Sequence, residues 1–163
     1  MFVLVRHAHA VSKRTWKRDD GQRPLSERGF QQASALVDAL SAVRTQRLLS
    51  SPLLRCRQTL EPLARRSRIP IEETPLLAPD ADAVLLSLLT QDSRTADAVL
   101  CTHGETFVAL FKHWQSHGRL RLGLPIEKID KRIAQKSGAW IMEDDGVHLR
   151  GHYLPAPDLM LQA

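Results

Sequence analysis

Two short runs in this chain are apolar without alternation: Phe2-Val3-Leu4-Val5 and Ala98-Val99-Leu100-Cys101. A strand with one face in water alternates polar and apolar residues, so an unbroken run marks a strand covered on both faces, as in parallel sheets flanked by helices. The rest of the pattern supplies those helices. Ala33, Leu36, Val37, Leu40 and Val43 share a helical face behind Ser26, an N-cap residue type. A second helix is expected from about Leu53 to Arg66, with Leu60, Leu63 and Ala64 inward and Pro62 as the point where it would kink. A third opens at Pro79-Asp80-Ala81-Asp82 and is expected to bury Leu85, Leu86, Leu88 and Leu89. A fourth carries Phe107, Leu110, Phe111 and Trp114 on one face. Arg47 to Ser50 and Ile69 to Thr74 read as further extended segments, and Ala139–Met142 with Val147–Leu154 as a hairpin around Asp144-Asp145-Gly146. Strands alternating with helices predict an α/β chain, a three-layer α/β/α sandwich on a mostly parallel sheet. With 163 residues, no internal repeat and no linker-like stretch, a single domain over 1–163 is expected.

Composition narrows the classes without choosing among them. At 43% hydrophobic and 25% charged, the chain can bury a core and is no disordered tail. Its net charge of +5 suits a partner carrying phosphate, whether nucleic acid or a small phosphorylated molecule. Arg65, Arg66 and Arg68 close the second helix and read as a solvated, dipole-favoured end. The apolar start is cut off by Arg6 and His7, too short for a leader or a membrane span. Cys56 and Cys101 form no CxxC pair and read as buried free thiols, so a soluble, cytoplasmic protein is expected.

The chemistry concentrates at strand ends. Both buried runs end in a histidine followed by a small residue, at Val5-Arg6-His7-Ala8 and Cys101-Thr102-His103-Gly104. In open α/β sheets the functional crevice lies beyond the carboxyl ends of the strands, which would bring the two imidazoles to one edge. Ser50-Ser51-Pro52 through Arg55 to Gln58-Thr59 also passes from a strand into a helix N-terminus, an anion-attracting end. There Arg55 would present a planar fork matched to phosphate oxygens.

These segments resemble, in order, the motifs of the histidine phosphatase superfamily. Arg6-His7-Ala8 is similar to its Arg-His-Gly signature, and Pro24-Leu25-Ser26-Glu27-Arg28-Gly29 to its Pro-Leu-Thr-x-x-Gly segment. Ser50 to Thr59 resembles its Ser-Ser-Pro-x-x-Arg-x-x-Gln-Thr motif, and Thr102-His103-Gly104 its second-histidine motif. Two residues depart from the pattern: Ala8 replaces glycine, and His9 stands where the SixA-like pattern has aspartate. The resemblance implies a phosphoglycerate mutase-like fold. The short length points to the small branch that includes phosphohistidine phosphatases of the SixA type. The loop from Trp16 to Leu25 also looks like the phosphatase half of Nudix–phosphatase fusion proteins.

What the resemblance implies is a hydrolase in which His7 takes the phosphoryl group covalently while Arg6, Arg55 and His103 hold its oxygens, with Gly104 beside them. No metal or other cofactor is expected. The proton donor stays open among Asp80, Asp82 and Glu105, with helix capping as the alternative role for the two aspartates. Trp16, Lys17 and Arg23 are candidates for the substrate entrance, Trp16 by stacking on a base; the alternative is a solvated basic loop. The expected substrate is a phosphorylated small molecule or a phosphohistidine protein, with a nucleoside di- or polyphosphate as the alternative and no nucleic-acid polymer or membrane as partner. The rival from another class is a catalytically silent phosphate-binding module.

Overall fold

Alternation along the first strand decides how the layers assemble. Phe2 and Leu4 face one side of the sheet, Val3 and Val5 the other, and all four are buried. The computed structural model describes residues 1–157, so residues 158–163 of the expected domain lie outside the described part. Six strands form one sheet: β1 (Phe2–Arg6), β2 (Arg47–Ser50), β3 (Ile71–Glu73), β4 (Ala98–Thr102), β5 (Ala139–Asp144) and β6 (Leu149–Leu154). Their order is β3-β2-β4-β1-β5-β6. The first four run parallel; β5 is antiparallel to β1, and β6 completes the expected hairpin. The mostly parallel sheet of the expected phosphoglycerate mutase-like fold is present.

Helices cover both faces. On one, α1 (Glu27–Ala39) and α2 (Leu54–Ser67) set Leu36, Leu40, Leu60 and Leu63 against Val3, Val5, Leu48 and Val99. On the other, α3 (Ala83–Gln91) and α4 (Gly104–Ser116) pack Leu86, Phe107, Leu110, Phe111 and Trp114 against Phe2, Leu4, Leu100 and Met142. Burying such side chains is worth about 1.5–3 kcal/mol each, and this double coverage permits strands without polar alternation. Among the described residues no helix is long and apolar enough to cross a membrane.

The second helix runs Leu54–Ser67 with Pro62 inside it, close to its expected span. Two local expectations need correction. The last strand begins at Leu149 rather than Val147, because the Asp145 carboxylate accepts the Val147 and His148 N–H groups and holds them in the turn. Only part of the leucine run on α3 is inward: Leu86 is buried, whereas Leu85 and Leu88 are 51% and 57% exposed. Polar residues take the inward face instead, since Ser87 accepts the Trp114 indole N–H at 2.9 Å and Thr90 donates to the Ser87 carbonyl at 2.8 Å. Truncating Leu86 to alanine should therefore cost about 2–5 kcal/mol, and Leu88→Ala about 0.5 kcal/mol or less. Urea denaturation of the two variants checks this; equal losses would put Leu88 in the core.

Candidate active site

Parallel pairing in register brings the strand ends to one place. Arg6 on β1 lies opposite Thr102 on β4, and Ser50 on β2 opposite Cys101. The next residues, His7, His103 and Ser51, therefore leave the sheet side by side, tied by His7 N–H to the Thr102 carbonyl (2.9 Å) and Ser51 N–H to the Cys101 carbonyl (3.0 Å). The His7 and His103 rings meet edge to face with centroids 5.2 Å apart. Arg55, in the first turn of α2, places its guanidinium 3.5 Å from His103 Nδ1. His7, Arg55 and His103 are 7%, 4% and 1% exposed, so three chargeable groups converge in a site nearly closed to water.

The His7 ring has a defined tautomer. Its Nδ1 lies 2.8 Å from the Ala8 carbonyl oxygen. A carbonyl only accepts, so the ring proton sits on Nδ1 and the lone pair on Nε2. Burial pushes the His7 pKa well below its ordinary value, and His103, Arg55 and Arg6 push the same way, outweighing the Ala8 carbonyl. His7 is thus a neutral imidazole at neutral pH.

The motif residues that flank His7 and Arg55 prove to be struts for this ring. Thr59 Oγ1 accepts the Ala8 N–H (3.0 Å) and donates to the Arg55 carbonyl (2.7 Å), locking the first motif to the third. Gln58 Oε1 accepts the Leu25 N–H, and Gln32 Oε1 the His9 N–H. Ser26 caps α1 through Gly29 N–H as expected, and its hydroxyl also lies 2.7 Å from His9 Nδ1. A Cβ on Gly29 would fall 1.9 Å from the His9 carbonyl oxygen, so only glycine lets α1 approach the His7 loop. Gly104 serves Arg6 similarly: a Cβ there would stand 2.8 Å from the guanidinium carbon. Arg6 is fixed by donation to the Lys131 and Ala134 carbonyls, while its buried Nε and that of Arg55 find no partner among the described residues. Unsatisfied guanidinium N–H groups beside a helix N-terminus suit an anion.

The other expected site residues separate. Asp82 is an N-cap: its carboxylate accepts the Val84 and Leu85 N–H groups, and its charge bears on His113 near the far end of α4. Asp80 is exposed; among the described residues neither aspartate hydrogen-bonds or ion-pairs with the cluster. Glu105 pairs with Lys131. Burial works to raise its carboxyl, but Lys131 outweighs that and holds it ionised. Trp16 folds onto its own loop, donating to the Asp19 carbonyl with Arg18 over its ring, and Lys17 is exposed. Arg23 does reach the site, through a residue the sequence reading passed over. Asp20 accepts from Arg23 Nε at 2.8 Å and lies 3.2 Å from Arg55 Nη2, so the loop closes over the cluster through a carboxylate between two arginines. Partial burial acts to raise the Asp20 carboxyl, but Arg23 and Arg55 hold it below the usual carboxylate range. Ser51 was also not singled out individually; its hydroxyl holds His103 Nε2 at 2.8 Å. Cys56 packs 3.5 Å from the same nitrogen, buried as expected with Cys101. Among the described residues no group of three or more His, Cys, Asp or Glu side chains is arranged to hold a metal ion.

The chain is similar to known phosphatases in sequence and in fold. Residues 2–78 match the sequence profile described as histidine phosphatase superfamily (branch 1). An 8-oxo-(d)GTP phosphatase of Mycolicibacterium smegmatis is 34% identical over 96% of this chain and 48% of its own length. The chain therefore spans about half the length of that curated relative. SixA of Agrobacterium tumefaciens superposes with a TM-score of 0.73 at 27% identity, covering 96% of this chain and 97% of that one. A SixA protein histidine phosphatase bound to tungstate gives 0.74 at 21% identity over 95% and 96%, a likeness of fold.

The depressed His7 pKa has a consequence for stability. The unfolded chain takes up a proton at residue 7 as pH falls through about 6.5, whereas the folded chain does not until well below it. Folding stability contributed by neutral His7 is thus present above pH 6.5 and lost on acidification. His7→Gln should show a shallower fall of Tm between pH 7 and pH 5 than the wild type. Parallel Tm profiles would contradict the assigned burial and charge of His7.

Proposed function

We propose that the chain, whose residues 2–78 match the histidine phosphatase superfamily profile, is a phosphatase acting on phosphomonoesters or phosphohistidine through a covalent phosphohistidine on His7. The observation that carries this reading is the His7 ring itself: neutral, buried, with Nδ1–H engaged by Ala8 and Nε2, unbonded among the described residues, beside two arginines and a second histidine. A neutral imidazole is a competent nucleophile near pH 7. Nε2 attacks phosphorus, the bond to the leaving oxygen of an ester, or to the leaving nitrogen of a phosphohistidine, breaks, and its electron pair leaves with that atom. The ring keeps its Nδ1 proton, and the positive charge it acquires is stabilised by the Ala8 carbonyl. Arg6, Arg55 and His103 provide fixed positive and N–H groups for the phosphoryl oxygens, where charge is spread in the transition state. Water then attacks phosphorus, the P–N electron pair returns to Nε2, and orthophosphate departs as the water proton passes to solvent. Asp20 acts in this scheme as a positioning residue, orienting Arg55 and Arg23.

The second reading is a nucleoside di- or polyphosphate hydrolase, favoured by two observations. The Mycolicibacterium relative is an 8-oxo-(d)GTP phosphatase. Of the carboxylates nearest the cluster, Glu105 and Asp20 are held ionised by cations, which makes them poor proton donors. A leaving group of low basicity, such as a phosphate in an anhydride or a protonated imidazole, departs without one.

Hydrolysis of 4-nitrophenyl phosphate tests the reading. His7→Ala should lose at least about a thousandfold in kcat, while the wild-type rate should withstand a chelator. Unchanged turnover in His7→Ala removes His7 as the nucleophile. No turnover by the wild type of this ester, a phosphohistidine protein or a nucleotide returns the chain to the silent phosphate-binding class.

A further inference from the structure

Beside Arg6 lies an open groove of about 860 Å³. Arg6, Arg28, Lys131, Arg132 and Lys136 line it against a single carboxylate, Asp130. That carboxylate is engaged by Arg132, and Lys131 is engaged by Glu105. Arg28 and Lys136 have no hydrogen-bonded or ion-paired partner among the described residues. Lys136 is half-buried, and its ammonium is pushed below its usual range by burial and then by Arg6, Arg23 and Arg28 around it. His9, on the rim, is depressed by burial and by the same Lys136 and Arg28. Cations held facing one another across an open space repel, and an anion in that space would relieve the repulsion.

The position of the groove says where that anion belongs. Arg6 is shared: it precedes His7 and also lines the groove. The Ser137 N–H donates to the Arg6 carbonyl at 3.0 Å, which fixes Lys136 next to the strand end that carries His7. The geometry points to a subsite, built from Arg28 and Lys136 with His9 at its rim, for further phosphate groups in the leaving portion of the substrate, a polyphosphate chain whose terminal phosphoryl group reaches His7. This rests on the phosphatase reading and names its substrate class as phosphoanhydrides. In the step it implies, His7 Nε2 bonds to the terminal phosphorus, the bridging P–O bond breaks, and the electron pair stays on the shortened polyphosphate. The cations of the groove receive that charge. Hydrolysis of the phosphohistidine then consumes one water and releases orthophosphate and a proton.

Calorimetric titration of the His7→Ala protein with inorganic tripolyphosphate, ATP and orthophosphate reads the subsite without turnover. Tripolyphosphate and ATP should each bind at least about tenfold more tightly than orthophosphate, and adding Lys136→Gln or Arg28→Gln should remove most of that difference. Arg65→Gln, on the last turn of α2, should change neither. Equal binding of tripolyphosphate and ATP shows that only the phosphate chain is read, and tighter ATP binding that the nucleoside adds to it; both support the subsite. Tripolyphosphate binding no tighter than orthophosphate overturns it. So does a poly-glutamate peptide that displaces tripolyphosphate at equal concentration, which would assign the groove to an acidic protein. Steady-state rates separate this inference from the reading beneath it. In the otherwise wild-type protein, Lys136→Gln should lower kcat/KM for tripolyphosphate about tenfold more than for 4-nitrophenyl phosphate. Equal losses on the two substrates sink the subsite and leave the phosphatase standing. Tight tripolyphosphate binding that depends on Lys136, without hydrolysis of any substrate, sinks the phosphatase and leaves the subsite.

Discussion

The contact between the ends of β1 and β4, sealed by the His7 N–H on the Thr102 carbonyl, is what every other part of the site leans on. Parallel pairing in register means that two strands of similar length end together, so the residues after them must share the same few ångströms. Two imidazoles placed there, with Arg55 brought in from the neighbouring strand–helix turn, form a concentration of positive potential inside a nearly dry pocket. Like charges and buried cations oppose folding. The chain offsets this by keeping His7 neutral, by opposing Arg55 with Asp20, and by giving Arg6 two backbone carbonyls. What is left over, including two guanidinium Nε–H groups without partners among the described residues, is a demand for an anion.

Much of this was legible in the sequence because it follows from periodicity. The unbroken apolar runs specify double coverage, and β1, β2 and β4 start and stop as their composition indicates. The meeting of His7 and His103, with Arg55 at the neighbouring helix N-terminus, follows from strand ends in a parallel sheet, whereas a role for Arg6 came from the family resemblance. The expectation for α3 failed where a short helix could turn either of two apolar faces inward. The Trp114 indole needed a hydrogen-bond acceptor, and Ser87 supplied it at the expense of Leu85 and Leu88.

Features that depend on distant pairing were not legible. Asp20 sits in a stretch with no apolar period, thirty-five residues from the arginine it opposes. Nothing local to Asp19-Asp20-Gly21 announces that contact. The same holds for Lys136, which reaches the Arg6 strand end only because Ser137 hydrogen-bonds there. Conversely, Asp82 has the residue type of an acid catalyst and the position of a cap, and position prevails: two N–H groups of α3 hold its carboxylate. The carboxylates closest to the cluster are all opposed by cations, so the site is better suited to leaving groups that carry their own charge away than to alkoxides that need a proton.

The proposed activity depends on covalent chemistry at one atom. Mixing the wild-type protein with a phosphorylated substrate, quenching in alkaline denaturant within milliseconds and recording the phosphorus NMR spectrum of the isolated protein reads that atom directly. An alkali-stable, acid-labile phosphohistidine on Nε2 of His7, absent from His7→Ala, is the predicted result. Turnover with no such adduct, or with one on His103, would contradict the assignment of the nucleophile.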